Sequence, residues 1–393
     1  MFSLLLAIIY ISFISLGLPD PLLGSGWPVM HIEMGAPISM AGVISMIIAG
    51  GTIVSSLMSD KLTRKLGAGL VTAISVAMTA VALLGFSLSD SVWQLCLWGI
   101  PYGLGAGAVD AALNNFVALH YAARHMSWLH CFWGIGTSVS PFIMSWCLAG
   151  GHGWQMGYGS VFFIQVVLTA VLFVSLPIWK KKEAESKESG DEVEAVHLGV
   201  GGALKLKGVK CVLLAFFCYC AIESTAGLWA SSYLVEARGV DEETAALFAS
   251  LFYLGITFGR FVNGFAADKF KDKTLIRVGI IAIIAGVAMI ALPLKTSLPA
   301  LVGLVVVGVG CAPVYPSVIH STPENFGREN SQAIVGIQMA SAYTGSTLMP
   351  PIFGLIANHI NIELYPVYLA AIAVLMLVMT EGLNRIMKNK RNG

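Results

Sequence analysis

The chain is 393 residues long, 56% of them hydrophobic and only 11% charged, against roughly 25% charged in an ordinary globular domain. Most residues therefore cannot face water, which excludes a soluble enzyme or binding domain and points to an all-α integral membrane protein. The formal net charge of +1 gives no basis for nucleic-acid binding.

A helix needs about 20 apolar residues to cross the hydrocarbon core of a bilayer. Such runs fall at 3–24, 37–59, 68–88, 93–119, 127–149 and 157–178, then at 209–236, 243–267, 275–294, 298–321, 331–358 and 362–384, which predicts twelve transmembrane spans. Between the sixth and seventh lies the least hydrophobic stretch. It divides the chain into a six-helix bundle at 1–182, a soluble linker at 183–208 and a second six-helix bundle at 209–393. Basic residues are retained on the cytoplasmic side of a membrane. Twenty of the 23 Lys and Arg lie in the linker, the tail and the alternate loops that put both termini there; Arg238 and Lys295 fall on the other side and Arg260 within a span. Residues 1–9 lack a basic region, so the first apolar run reads as a retained helix rather than a cleaved signal peptide. The compact chain, without long termini or a large extracellular loop, reads as a multi-pass monomer of a bacterial inner membrane.

An ionised side chain inside a membrane costs several kcal/mol and is rarely kept without a use. In span one, Asp20 sits in GLPDPLLG, where Pro19 and Pro21 predict a broken helix; it is a candidate proton site or a cap for the second half-helix. In span four, Asp110 follows a glycine-rich run, with Asn114 one turn further on the same face and Asn115 beside it. Lipid would not tolerate such a stripe, so it is expected to face a cavity or a helix–helix hydrogen-bond cluster. In span five, His130, Trp133 and Thr137 share a face. In span seven, Glu223 has Tyr219 and Gly227 one turn away on either side; read as a buried carboxylate with no nearby cation, it is a proton carrier or a protonated hydrogen bonder. In span eight, Arg260 is read as a structural side chain snorkelling to the cytoplasmic end. His320, near the end of span ten, is read as a surface histidine. Hydroxylated solutes need amides, carboxylates and aromatic faces, which nominates Trp229, Tyr253, Gln338 and Tyr343 beside the residues above. All seven cysteines fall within spans with no C-x-x-C, and no cofactor or metal is implied.

The two halves repeat. Gly51 and Asp60 at the end of span two recur as Gly259 and Asp268 at the end of span eight, an offset of 208, while Pro141 recurs as Pro350 and Tyr158 as Tyr365 at offsets of 209 and 207. Duplicated six-helix halves in one orientation imply a two-fold axis along the membrane normal with a cavity between the halves. On these residues the chain resembles the major facilitator superfamily, whose loop pattern is Gly-x-x-x-Asp-Arg/Lys-x-Gly-Arg-Arg. The second copy keeps Gly264, Asp268 and Lys269; the first keeps Asp60 but has Ser56 and Thr63 at the glycine positions. The resemblance implies a gating role for these residues, with Arg260 on the same helix. A carboxylate at a cytoplasmic helix end also suits the N-terminus of a neighbouring helix.

Within that superfamily the Asp110 segment is similar to the fourth helix of the fucose/galactose–proton symporter family, an acid-Thr-x-x-Asn-Pro motif. Asp110 and Asn114 match, whereas Ala111 and Asn115 replace the Thr and Pro. Asp20 matches that family's first-helix Asp, and the stretch from Tyr219 to Trp229 resembles its seventh helix. The resemblance implies proton-coupled uptake of a neutral sugar or polyol by alternating access, with Asp110, Glu223 and Asp20 carrying protons. A proton-coupled efflux antiporter of cationic or amphipathic compounds would use the same acids as counter-charges. A non-transporting receptor or a membrane-embedded enzyme is the reading from another class; no nucleophile–base pair or nucleotide-binding signature supports the enzyme. The expected partners are a small solute, a proton and the lipid bilayer.

Overall fold

The computed structural model describes residues 4–37, 40–188, 198–294 and 296–392; the middle of the expected linker, 189–197, and Lys295 lie outside the described residues. In chain order the helices are α1 (Leu4–Gly17), α2 (Leu22–Glu33), α3 (Met40–Leu66), α4 (Ala68–Ser87), α5 (Val92–His120), α6 (Ala123–Ala149) and α7 (Gly153–Glu188). They continue with α8 (Gly199–Ala203), α9 (Val209–Arg238), α10 (Glu242–Ala266), α11 (Asp272–Ala291), α12 (Leu298–His320), α13 (Thr322–Phe326), α14 (Arg328–His359) and α15 (Tyr365–Asn392). Counting α1 and α2 as one interrupted rod, twelve long helices match the twelve spans. The linker is partly helical: α7 runs on to Glu188 and α8 occupies residues 199–203.

Among the described residues nine of the twelve are long and apolar enough to cross a membrane by length and hydropathy alone. The three that fall short, α5, α10 and α14, carry polar side chains turned inward. Asn114, Asn115, Arg260, Asn263, Ser331, Gln332 and Gln338 are all buried. These buried polar residues lower the hydropathy, while the same helices keep apolar side chains such as Leu97, Phe258 and Leu355 exposed on another face.

The break between α1 and α2 follows from the two prolines. Pro21 has no N–H for the Gly17 carbonyl, and the ring of Pro19 clashes with the turn before it. The chain resumes with Leu22 N–H on Pro19 O at 3.2 Å. α2 begins without a side-chain cap, so Asp20 does not act as one.

The helices form two compact units. The first comprises Met1–His120, Leu129–Gly199 and Arg328–Ala340; the second comprises Tyr121–Trp128, Val200–Gly327 and Ser341–Gly393. Each unit thus takes in a short piece from the other half of the sequence. Within the first, α3 and α5 meet along small residues: a Cβ on Gly103 would lie 2.1 Å from Ile48 O, and one on Gly107 2.1 Å from Thr52 O. Ser56 Oγ donates to the Gly107 carbonyl at 3.2 Å. Small residues allow this backbone approach where lipid supplies no hydrophobic drive to pack helices. The second unit repeats the arrangement, with Gly259 of α10 against Ala312 of α12. Gly51 of α3, its counterpart at the offset of 208, lies against Gly103 and Leu104 of α5.

Candidate functional site

In the first unit the polar residues form two hydrogen-bonded groups. Glycines set the first. A Cβ on Gly17 would sit 2.3 Å from Trp133 O and one on Gly136 2.0 Å from Ile14 O, so α1 and α6 run in near backbone contact. That approach carries the indole of Trp133 to the helix break, where Nε1 donates to Asp20 Oδ2 at 3.2 Å. From α5, the Tyr102 hydroxyl donates to Asp20 Oδ1 at 3.3 Å. Asp20 remains exposed, a carboxylate held by two aromatic donors with room for a third partner.

The second group is buried. Asn114 Nδ2 donates to Asp110 Oδ1 at 2.7 Å and to the Asp110 carbonyl at 2.9 Å, as the four-residue spacing requires. Its Oδ1 faces His130 Nε2 at 3.0 Å. Since that amide oxygen can only accept, the network puts the hydrogen of His130 on Nε2. The imidazole is fixed edge-on against Phe13, centroids 5.4 Å apart. Asp110, Asn114 and His130 are all 5% exposed or less. Asn115 accepts from the Ser331 hydroxyl of α14, so the two amides of α5 serve different neighbours. Gln338, seven residues beyond Ser331, is fully buried.

In the second unit, Tyr219 and Glu223 stand one turn apart on α9 and meet Arg260 of α10. Arg260 Nη2 lies 3.3 Å from the Tyr219 hydroxyl and 3.3 Å from Glu223 Oε1. Its guanidinium carbon is 5.8 Å from the ring centroid of Tyr315 on α12, within cation–π range. Two sequence readings are corrected here. Glu223 does have a cation beside it, and Arg260 does not snorkel: its side chain is only 4% exposed. The other nominated aromatics of this unit lie apart from that trio in their own surroundings. Trp229 Nε1 donates to Pro350 O at 3.0 Å and its ring lies on Gly354. The Tyr253 hydroxyl occupies the space a Cβ on Gly227 would need, although the residue as a whole is half exposed. Tyr343 is partly buried.

Of the expected gating residues, Asp60 and Asp268 each have an ion-pair partner within their own unit. Asp60 pairs with Arg64 one turn on at 3.1 Å, inside α3 and buried, rather than standing as a loop charge. Asp268 lies 2.8 Å from Arg124 Nε at the start of α6. It therefore reaches a helix N-terminus through that arginine. Gly264 is covered by the indole of Trp128, whose Nε1 donates to Phe261 O at 3.3 Å, and Asn263 Nδ2 donates to Ser127 Oγ at 2.8 Å. Lys269 is exposed. His320 is no surface histidine: Nδ1 is 2.7 Å from Asp272 Oδ2, and the ring also bonds to the Tyr121 backbone.

Sequence reasoning missed Tyr102, Tyr315, Ser331 and the buried reciprocal pair of Ser15 and Gln165, in which the hydroxyl donates to Gln165 Oε1 at 2.6 Å and Gln165 Nε2 donates to Ser15 O at 2.7 Å. A glutamine inside an apolar span was the available signal for the last. The tyrosines carry none, since tyrosine is equally at home in a core.

A family model described as Major Facilitator Superfamily matches residues 4–292 and, in a second match, 211–383. The Bypass of stop codon protein 6 of Saccharomyces cerevisiae is 23% identical over 400 residues, covering 91% of this chain and 77% of that protein. The Glucose/mannose transporter GlcP of Bacillus subtilis is 21% identical over 346 residues, covering 85% and 82%. Among solved structures, the E. coli Fucose:proton symporter FucP is similar with a TM-score of 0.76 at 15% identity, over 96% of this chain and 97% of that one.

Proposed function

The chain belongs to the Major Facilitator Superfamily, and from that premise we propose that it is a proton-coupled symporter of a sugar or another polar neutral solute. Its fold is that of the superfamily: twelve transmembrane helices in two pseudo-symmetric six-helix bundles. The observation that carries the proposal is the buried Asp110–Asn114–His130 chain. A carboxylate joined through an amide to an imidazole, in a span where charge is costly, can take up a proton at one end and offer hydrogen-bond donors and acceptors to a solute at the other. Asp20, with its two aromatic donors, is the second proton site. Protonation of Glu223 would release Arg260 and make that pair the third. Asn115, Trp133, Tyr219, Trp229, Tyr253, Gln338 and Tyr343 complete the proposed solute contacts.

On this reading, segments 1–182 and 209–393 are the bundles that alternate access, 183–208 tethers them, and both termini lie in the cytoplasm of a bacterium whose inner membrane holds the protein. Asp60, Gly264, Asp268 and Lys269 serve the gate. The GlcP similarity and the FucP fold support a sugar-like solute. The test is purified protein in liposomes containing a pH-sensitive dye, given monosaccharides, polyols and cationic drugs in turn. Entry of protons with a sugar or polyol supports symport. Proton movement opposite to a cationic compound would replace this reading with efflux by antiport.

A further inference from the structure

Within the second unit a cavity of about 360 Å³ sits where the starts of α9 and α11 meet the ends of α12 and α15, beside the short α13. That size falls within the usual range of small-molecule sites, roughly 300–1,000 Å³. Its charge is unbalanced. Two of its three acids are already held: Glu381 takes a two-pronged ion pair from Arg277, both contacts at 2.7 Å, and Asp272 is engaged by His320 at 2.7 Å. Glu324 is the third. Lys271, Lys273, Arg385 and Lys388 also line the space, so that with Arg277 five cations stand against three carboxylates. The rest of the wall is mixed, with the amide of Asn325 on one side and Val212, Ile276 and Met387 as an apolar floor.

We propose that this cavity binds a phosphate group, carried by an anionic lipid headgroup or by a soluble phosphate ester. Cations converging on a pocket between helices at one end of a membrane bundle suit a phosphodiester, which they would hold without crossing the hydrocarbon region. The apolar floor suits the first carbons of a lipid, and the Asn325 amide suits an ester oxygen. The occupant would tie α11 to α15, the two helices already joined by Arg277 and Glu381. The site is distinct from the Glu223–Arg260 pair and does not depend on which solute is transported.

The experiment uses the full chain in lipid nanodiscs. Thermal unfolding is measured in phosphatidylcholine, in phosphatidylcholine with increasing phosphatidylglycerol, and in phosphatidylcholine with inorganic phosphate. Two variants with the same loss of charge are compared: Lys273→Gln/Lys388→Gln in the cavity and Lys61→Gln/Lys65→Gln at the end of α3. A ligand that binds only the folded state raises the melting temperature. At about 1 kcal/mol per basic residue near an anionic surface, each lysine is worth roughly fivefold, so the cavity variant should bind about 25-fold more weakly while the α3 variant keeps wild-type affinity. Unchanged melting of both variants in pure phosphatidylcholine shows that they fold. A response to phosphatidylglycerol alone assigns the site to lipid, and a response to phosphate alone assigns it to a soluble ester. Equal responses of the two variants, or no response of the wild type to either ligand, would overturn the proposal.

Discussion

Arg260 Nη2 stands 3.3 Å from Glu223 Oε1 across 37 residues of sequence, so the buried arginine of span eight is paired with the acid of span seven. Two further acids, Asp20 and Asp110, lie in the first unit, where Trp133 and Tyr102 donate to the one and Asn114 to the other. The carboxylates are thus engaged differently in the two units: Glu223 by an arginine with a tyrosine beside it, and Asp20 and Asp110 by indole, phenol and amide donors.

Glu223→Gln strands the deeper ion, and breaking a buried pair in this way costs about 3–5 kcal/mol. Arg260→Met should cost less, because the Glu223 left behind is more exposed, 17% against 4% for the arginine side chain. The double variant should recover part of the loss. Unfolding of the purified protein in detergent gives the cycle, and coupling below about 0.5 kcal/mol would mean that the two charges are stabilised independently.

The glycine contacts of α5 give a second prediction. Gly107→Ala puts a Cβ 2.1 Å from Thr52 O with backbone on the far side, and should destabilise by about 1–3 kcal/mol or more through overpacking. Gly50→Ala meets nothing within 4 Å and should gain about 0.5–1 kcal/mol from helix propensity. Equal melting temperatures for the two variants would show that α3 and α5 are not held at this distance.

The spans were legible because twenty apolar residues have few other fates, and the α1 break because Pro19 and Pro21 are local signals. Partners were not legible. Asn114 could be assigned to Asp110 from four-residue spacing, but its second partner, His130, lies on another helix, and nothing local aims Ser331 at Asn115, 216 residues away. Arg260 was misread for the same reason: counting along α10 gave its distance to the helix end, whereas burial and a facing α9 decided where the guanidinium went. His320 likewise depended on Asp272, 48 residues earlier.

The pairing of Arg124 with Asp268 at 2.8 Å is partly exposed, so it should add no more than about 1 kcal/mol to stability. Its proposed role is to hold the start of α6 against the end of α10. Asp268→Asn and Arg124→Gln should each leave the melting temperature almost unchanged yet lengthen the distance between spin labels at Ala122 and Phe270, with no further effect in the double variant. A distance distribution identical to that of the wild type would reduce the pair to a surface contact.

The most direct test of coupling is Asp110→Asn. Asn114 Nδ2 donates to Asp110 Oδ1 at 2.7 Å, and an amide at position 110 keeps an oxygen there to accept it, so the link onward to His130 and the fold should survive. The substitution mimics the protonated acid in shape while removing its ability to release the proton. Exchange of solute across the membrane, which needs no net proton movement, should then continue, while accumulation driven by an imposed pH difference should fall to the level of the passive gradient. His130→Gln can still donate to Asn114 but cannot titrate, and should retain accumulation if the carboxylate alone carries the proton. Asp20→Asn keeps one oxygen to accept from Trp133 Nε1 and presents its NH2 to the Tyr102 hydroxyl, which can accept in turn; the bonds these two make to the carboxylate are longer, at 3.2 and 3.3 Å. It should therefore fold normally and lose accumulation only if Asp20 is a second proton site. Accumulation that persists in Asp110→Asn removes that residue from the proton path, and accumulation driven by sodium in place of the pH difference would make the acids a cation site.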